Sequence, residues 1–342
     1  MVLHFHRVMS DNLLEELRPT GRFAGLVARR NTRPDVADVQ LRRARGNESH
    51  ASLYIGLTSV LDVRERAGEF ALRARATHRA AADFDAAWAT FRPAAALAAD
   101  WPAVEQYLDR ILSDGKIEPR WYRREGMVQT AVASGASSAY GPVQREAVVW
   151  ADGEPSVAQL VAATSDHVWA AVKAANRSDP WWPAVRGHGL RPGMGDEVDA
   201  IAVDGHRLLC IEVKPAVAVE GIVWSAAQVL VYAELFARWA AQDPALASQS
   251  LAAMAAQRHA LGLLDQRWTD PLPDGFTVTP VVAIGAGARN KYALPRLHQL
   301  TEALGTVPTH PLVDPLEVWL LNESGHPTQV WLPATEPLPP VP

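Results

Sequence analysis

One cysteine, Cys210, is all that 342 residues carry. That count excludes an internal disulfide framework and a zinc site built on thiolates. No stretch approaches the roughly eighteen uncharged apolar residues of a membrane span. The opening MVLHFHRVMSDNLLEEL has no apolar core of a secretion signal, so a reducing cytoplasm without membrane contact is the expectation. The eleven histidines show neither HExxH nor paired ligand spacing, so no zinc centre is predicted. GxSxG is missing, and with it the serine-hydrolase elbow. GxxxxGK[ST] is missing too, which leaves no built-in ATP motor. No internal repeat is visible. Lysine is scarce, at four of 33 basic residues.

What is there is a globular composition, 48% hydrophobic and 21% charged, with a length that predicts two domains. The net charge of −5 conceals an asymmetry. Residues 1–125 hold 20 basic against 17 acidic side chains, a net of +3, and residues 126–342 hold 13 against 21, a net of −8. Arginines cluster in VARRNTRPD, QLRRARGN and RWYRREG. A solvated arginine-rich surface is the plain reading. Phosphate contacts by Arg42, Arg43 and Arg45 are the functional one.

Residues 1–130 read as a mixed, strand-leaning N-terminal recognition or partner-binding domain. Two alternating runs around Ala67-Gly68 predict a hairpin. DFDAAWATFRPAAALAADWPAVEQYLDRIL predicts helix broken near Pro93 and Pro102. Charge-poor MVQTAVASGASSAYGPV is placed at the domain joint. Residues 140–332 form the second domain, in which SVAQLVAATSDHVWAAVKAAN has helical apolar spacing. A short strand in WWPAVRGHGLRPG, a hairpin, a long helix over 220–242 and another in PALASQSLAAMAAQRHALGLL follow. FTVTPVVAIGAG predicts a strand, NKYALPRLHQLTEALG a helix and LEVWLLNESGHPTQVWLP a hairpin. GAGARNK reads as a strand-to-helix turn, and Trp181-Trp182 as packing. Residues 333–342 are a proline-rich tail. The order predicts an α/β fold with a mixed central sheet flanked by helices.

The chemistry lies in VDAIAVDGHRLLCIEVKPA, residues 198–216. Carboxylates and a lysine rarely enter apolar strands unless paired or metal-bound. Asp204-Gly205 as the turn pairs 199 with 210 and 197 with 212; Gly205-His206 as the turn pairs 199 with 212. Either register puts Glu197, Asp199, Glu212 and Lys214 on one face. Crowded carboxylates require a neutralising cation, and an all-oxygen pocket suits Mg²⁺ or Mn²⁺. Lysine, the rare basic residue here, favours a compact point charge at 214.

Asp199…Glu212-Val213-Lys214 resembles the D…ExK signature of the PD-(D/E)XK nucleases. Gln228 and Tyr232, in QVLVY, resemble the QxxxY motif of that superfamily's RecB-like branch. The likeness covers about 150–290 and implies a restriction-endonuclease-like core. It implies that Asp199, Glu212 and the Val213 carbonyl hold Mg²⁺ or Mn²⁺, and that Lys214 orients or activates the attacking water. It implies that Gln228 and Tyr232 support the site and contact the DNA backbone. Glu197, Glu146 and His167 stay open as a third ligand. Val198 stands where the family's name has proline, and the lack of a cysteine cluster excludes the iron–sulfur-bearing relatives. The implied activity is metal-dependent hydrolysis of DNA phosphodiester bonds, with RNA not set apart. A catalytically inactive binding subunit of a helicase or defence complex is the alternative.

Overall fold

A computed structural model of the chain describes residues 2–5, 7–43, 48–74, 90–112, 124–134, 139–152, 156–178, 197–286, 290–322, 324–333 and 335–337. Arg45, the expected strand in WWPAVRGHGLRPG, Trp181-Trp182, residues 287–289 of GAGARNK and most of the proline-rich tail lie outside them.

The elements in chain order are β1 (Val2–His4), α1 (Asp11–Leu17), α2 (Ala24–Thr32), β2 (Ala37–Arg43), β3 (Ser49–Ile55), β4 (Thr58–Arg66), β5 (Glu69–Arg73) and β6 (Arg92–Pro93). Then come α3 (Ala94–Leu97), α4 (Trp101–Leu112), α5 (Arg124–Ala133), β7 (Gly141–Val148), β8 (Trp150–Asp152) and α6 (Val157–Ser178). The rest are β9 (Glu197–Val203), β10 (Arg207–Lys214), α7 (Val219–Gln242), α8 (Pro244–Ala260), β11 (Thr277–Ile284), α9 (Asn290–Leu304), β12 (Glu317–Leu321) and β13 (Pro327–Trp331). The fold is mixed α/β with three sheets among the described residues.

The chain divides into two compact units that are not contiguous in sequence. One comprises 1–5, 136–251 and 270–342, the other 6–135 and 252–269. The expected split into 1–130 and 140–332 missed both exchanged pieces. Residues 2–4 leave the N-terminal part because β1 pairs antiparallel with β8, and Phe5 packs edge-on against Phe236 and Trp239. Residues 252–269 leave the C-terminal part because the second half of α8 is anchored by buried polar contacts. Gln257 Oε1 accepts the Met9 amide at 2.8 Å and its Nε2 donates to the Met9 carbonyl at 2.9 Å, a side chain imitating a ladder pair. Leu261 and Leu263 join the core that Leu13, Leu26 and Phe70 share.

That unit is built on the antiparallel sheet β2-β3-β4-β5-β6. Arg66 pairs with Glu69, so the Ala67-Gly68 loop lies where the sequence puts it. Both residues adopt positive φ, 53° and 82°, which matches a primed two-residue turn. The unusual feature is a buried charge cluster. Asp38 is fully buried, and Arg258 lies with Nη2 3.8 Å from its Oδ1. Arg258 also donates to the carbonyls of Val39 and Ala133 at 3.1 and 3.3 Å. Arg30 donates to Ser134, and Gln40 to Asp38. Burial pulls the Arg258 and Arg30 guanidiniums below the usual arginine pKa, and Asp38 opposes the shift in both.

The other unit holds the six-stranded sheet β13-β12-β11-β10-β9-β7. β7, β9 and β10 run antiparallel in turn, β10, β11 and β12 are parallel, and β13 returns antiparallel. The parallel pairs need long crossovers, which α7 and α9 provide. Strand β7 went unread: PVQREAV interrupts its apolar alternation with Gln144 and Arg145, both buried here. Helix α7 is, among the described residues, the one helix long and apolar enough to cross a membrane by length and composition. Of that stretch, 78% is buried inside the protein.

Asp38→Ala should strand two buried guanidiniums, so urea denaturation of the variant should report a loss of about 3–5 kcal/mol. A loss under about 1 kcal/mol would mean the arginines are neutralised by other groups.

Candidate active site

The hairpin β9–β10 pairs Leu208 with Val203 and Ile211 with Ala200. Gly205-His206 is therefore the loop, and one step past Ile211 the register sets Asp199 opposite Glu212. The Asp204-Gly205 register is corrected by one residue. The cause is the Asp204 side chain: Oδ1 accepts from the amides of His206 and Arg207 at 3.1 and 2.8 Å, and Oδ2 from Arg207 Nε at 2.8 Å. These bonds hold Asp204 as the last paired residue. Gly205, at φ +90°, takes the first loop position, where a type II′ turn requires glycine.

At the far end of the hairpin three charged side chains meet. Asp199 Oδ2 accepts the Val213 amide at 2.8 Å. Lys214 Nζ donates to Glu212 Oε1 at 2.8 Å and lies 4.0 Å from Asp199 Oδ2. Side-chain exposure is 6% for Glu212, 13% for Lys214 and 24% for Asp199. The cluster thus opens outward on the Asp199 side. It sits at the carboxyl end of β10, the side of parallel strands where α/β sheets receive ligands. The Lys214 carbonyl accepts the Gly285 amide at 2.9 Å, which ties it to the end of β11. Gly221, in the first turn of α7, faces the lysine stem. A Cβ there would lie 3.4 Å from Lys214 Cδ.

In the contacts described, two carboxylates face one ammonium. A carboxylate as withdrawn from water as Glu212 demands compensation. Oxygen donors from facing positions on adjacent strands suit a hard divalent cation, which binds through one or two carboxylates and keeps several waters. Asp199 and Glu212 fit such an ion. Val213 meets the cluster through its amide, which Asp199 accepts.

A third ligand does not join them. Among the described residues no group of three or more His, Cys, Asp or Glu side chains is arranged to hold a metal ion. Glu146 comes nearest by register: Arg145 pairs with Ala200 and Ala147 with Val198, which leaves Glu146 opposite Asp199. Its φ of +50° breaks the alternation of β7. Glu197 is exposed at the start of β9, and His167 is exposed on α6, outside the buried stripe of Val161, Ser165, Val168 and Val172.

Gln228 and Tyr232 share a stripe of α7 with Gly221, roughly 10 and 16 Å further along the axis. Gln228 is half-buried and Tyr232 only 3% exposed. Most of the Tyr232 side chain thus lies inside the protein. Asp204 and Gly221 are the positions that sequence reasoning passed over. Gly221 had a readable signal, because glycine inside a helix costs about 1 kcal/mol relative to alanine and calls for a reason.

Compared with known proteins, the chain matches no family model, no curated protein and no solved structure.

Because Asp199 holds the Val213 amide, Asp199→Ala should speed hydrogen exchange there by about tenfold or more, while the Cys210 amide stays protected. Unchanged protection at Val213 would mean the carboxylate does not fix that strand end.

Proposed function

We propose that the chain is a metal-dependent nuclease that hydrolyses DNA phosphodiester bonds. The observation that carries this reading is the convergence of Asp199, Glu212 and Lys214 at the carboxyl end of β10. Support comes also from their setting: an antiparallel hairpin, then a helix, then a parallel strand, which is the order expected of a restriction-endonuclease-like core. RNA shares the phosphodiester and is a second substrate to assay. A helicase or defence-system partner fits the same reading.

Asp199 and Glu212 would hold Mg²⁺ or Mn²⁺. Bound there, such an ion supplies a water of lowered pKa and a Lewis acid for the phosphoryl oxygen. The protein's own groups do the rest. Lys214 carries its charge beside both carboxylates, with one ammonium face committed to Glu212. That charge would orient the attacking water and stabilise the negative charge that grows on a phosphoryl oxygen as the water oxygen bonds to phosphorus and the P–O ester bond breaks. Gly221 lies against the lysine stem, and the β11 contact fixes its backbone. Gln228 and Tyr232 hold the helix behind the site.

One observation favours a second reading, a nuclease-fold subunit that binds without cutting. Glu212 is already paired with Lys214, and no third ligand is assembled among the described residues.

The two readings separate in a plasmid-cleavage time course with Mg²⁺ or Mn²⁺, alongside metal titration by calorimetry. The nuclease reading expects Glu212→Ala to lose metal binding and cleavage together. Lys214→Ala should keep metal binding yet cut about 100-fold more slowly, and Lys214→Arg should not restore the rate. Gln228→Ala should bind Mn²⁺ normally and turn over slowly. Wild-type-like cleavage by Lys214→Ala would remove this site from the reaction. A wild-type chain that binds DNA and never cuts it would establish the second reading.

A further inference from the structure

The loop that joins α9 to β12 is held by hydrogen bonds along its length. Val307 donates to the Leu304 carbonyl at 2.9 Å, at the end of the helix. The His310 amide donates to Glu234 Oε2 of α7 at 2.7 Å. Further on, the Val278 amide donates to the Leu312 carbonyl at 2.7 Å, and the Val278 carbonyl accepts the Asp314 amide at 3.0 Å. Asp314 Oδ2 accepts the hydroxyls of Thr277 and Thr279, at 2.6 and 2.7 Å.

Between this loop, α7 and the end of α9 lies a cavity of about 310 Å³. Leu230, Leu304, Val307, Val313, Pro315 and Leu316 give it apolar walls. Leu230, Thr301 and Leu304 are buried and form its floor, whereas Gly305, Thr309 and Pro315 are exposed and form its mouth. Val313 bridges to Val278 at the start of β11, and Lys214 pairs with Ile284 at its end. The cavity therefore lies at the opposite end of the strand from the acidic cluster. An apolar cavity left unfilled destabilises a fold, and water inside it finds few partners. The bonds to Glu234, Val278 and the two threonines keep the loop from collapsing into it.

The lining also restricts what can enter. It contains no lysine, arginine or histidine among the described residues, and its one formal charge is Asp314. Helix α9 ends at Leu304, so the negative end of its dipole falls on the same cavity. Thr301 Oγ1 donates to the His298 carbonyl at 2.8 Å and so can meet a ligand only as an acceptor. An anion is thus disfavoured, and an N–H or O–H donor is favoured. Size narrows the class further, because an apolar cavity of roughly 150 Å³ accommodates a single benzene ring.

We propose that this cavity binds an uncharged two-ring aromatic molecule carrying one hydrogen-bond donor. Its walls are preformed, so little ordering is lost on binding. Occupancy is independent of any cleavage at the acidic cluster.

The test is a titration of the full, isotope-labelled chain with indole, read by amide NMR. Indole should shift the amides of Leu304, Gly305 and Val313 saturably and leave that of Val213 unmoved. Indole-3-acetate, the same ring system with a carboxylate, should bind about tenfold more weakly or worse. Thr301→Val should weaken indole about fivefold and leave indene, which has the rings and no donor, unchanged. Gly305→Leu blocks the mouth from an exposed position, where a Cβ meets ordinary contacts no closer than 3.4 Å, so the variant is compatible with folding. It should weaken both ligands about tenfold or more. No saturable shift at the three amides, a shift centred on Val213, or full binding by Gly305→Leu would overturn the proposal. So would indole-3-acetate binding as tightly as indole, or an unchanged indole affinity in Thr301→Val.

Discussion

A carboxylate set on an interior strand of a six-stranded sheet, with 6% of its side chain reaching water, has to be met by positive charge. Glu212 imposes that condition on its surroundings. Lys214, two residues on and on the same face, meets it at 2.8 Å. The rest of the local structure follows from keeping that lysine in place. Gly221 borders the stem, the Gly285 amide holds the backbone, and Asp199 is pinned across the hairpin by the Val213 amide. Asp204, at the opposite end, fixes the register that sets Asp199 directly opposite Glu212. With Asp204-Gly205 as the loop the two would share a face as diagonal neighbours.

The same physics recurs in the other unit with a different outcome. Arg258 and Asp38 are buried more deeply than the acidic cluster, yet their hydrogen bonds go to backbone carbonyls and to neighbouring polar side chains. These contacts fix one helix against one strand and face inward. The Asp199–Glu212–Lys214 cluster opens toward solvent on the Asp199 side. That difference in exposure is what makes it the candidate for chemistry.

Much of this was legible in the sequence. The apolar runs around Asp199, Glu212 and Lys214 announced strands with charges in them, and Ala67-Gly68 announced its turn. The long helix over 220–242 and the parallel strand after it could be read from periodicity. Register was legible only as two alternatives, because the decision lay in side-chain hydrogen bonds of Asp204 that no hydropathy pattern encodes. Strand β7 was hidden because buried Gln144 and Arg145 imitate a solvent-facing loop. The exchange of residues 2–5 and 252–269 between units was hidden for a related reason. It depends on pairing and polar anchoring over more than a hundred residues, and local pattern carries no such information.

The central claim is that a divalent ion is held between Asp199 and Glu212. Paramagnetic broadening by substoichiometric Mn²⁺ locates such an ion directly in an amide-resolved NMR spectrum. The account predicts that the amides of Asp199, Val213 and Gly221 broaden first, that those of Arg207 and Thr277, at the opposite end of the paired strands β10 and β11, stay sharp, and that Glu212→Ala abolishes the effect. Broadening centred elsewhere, or the same pattern in Glu212→Ala, would contradict it.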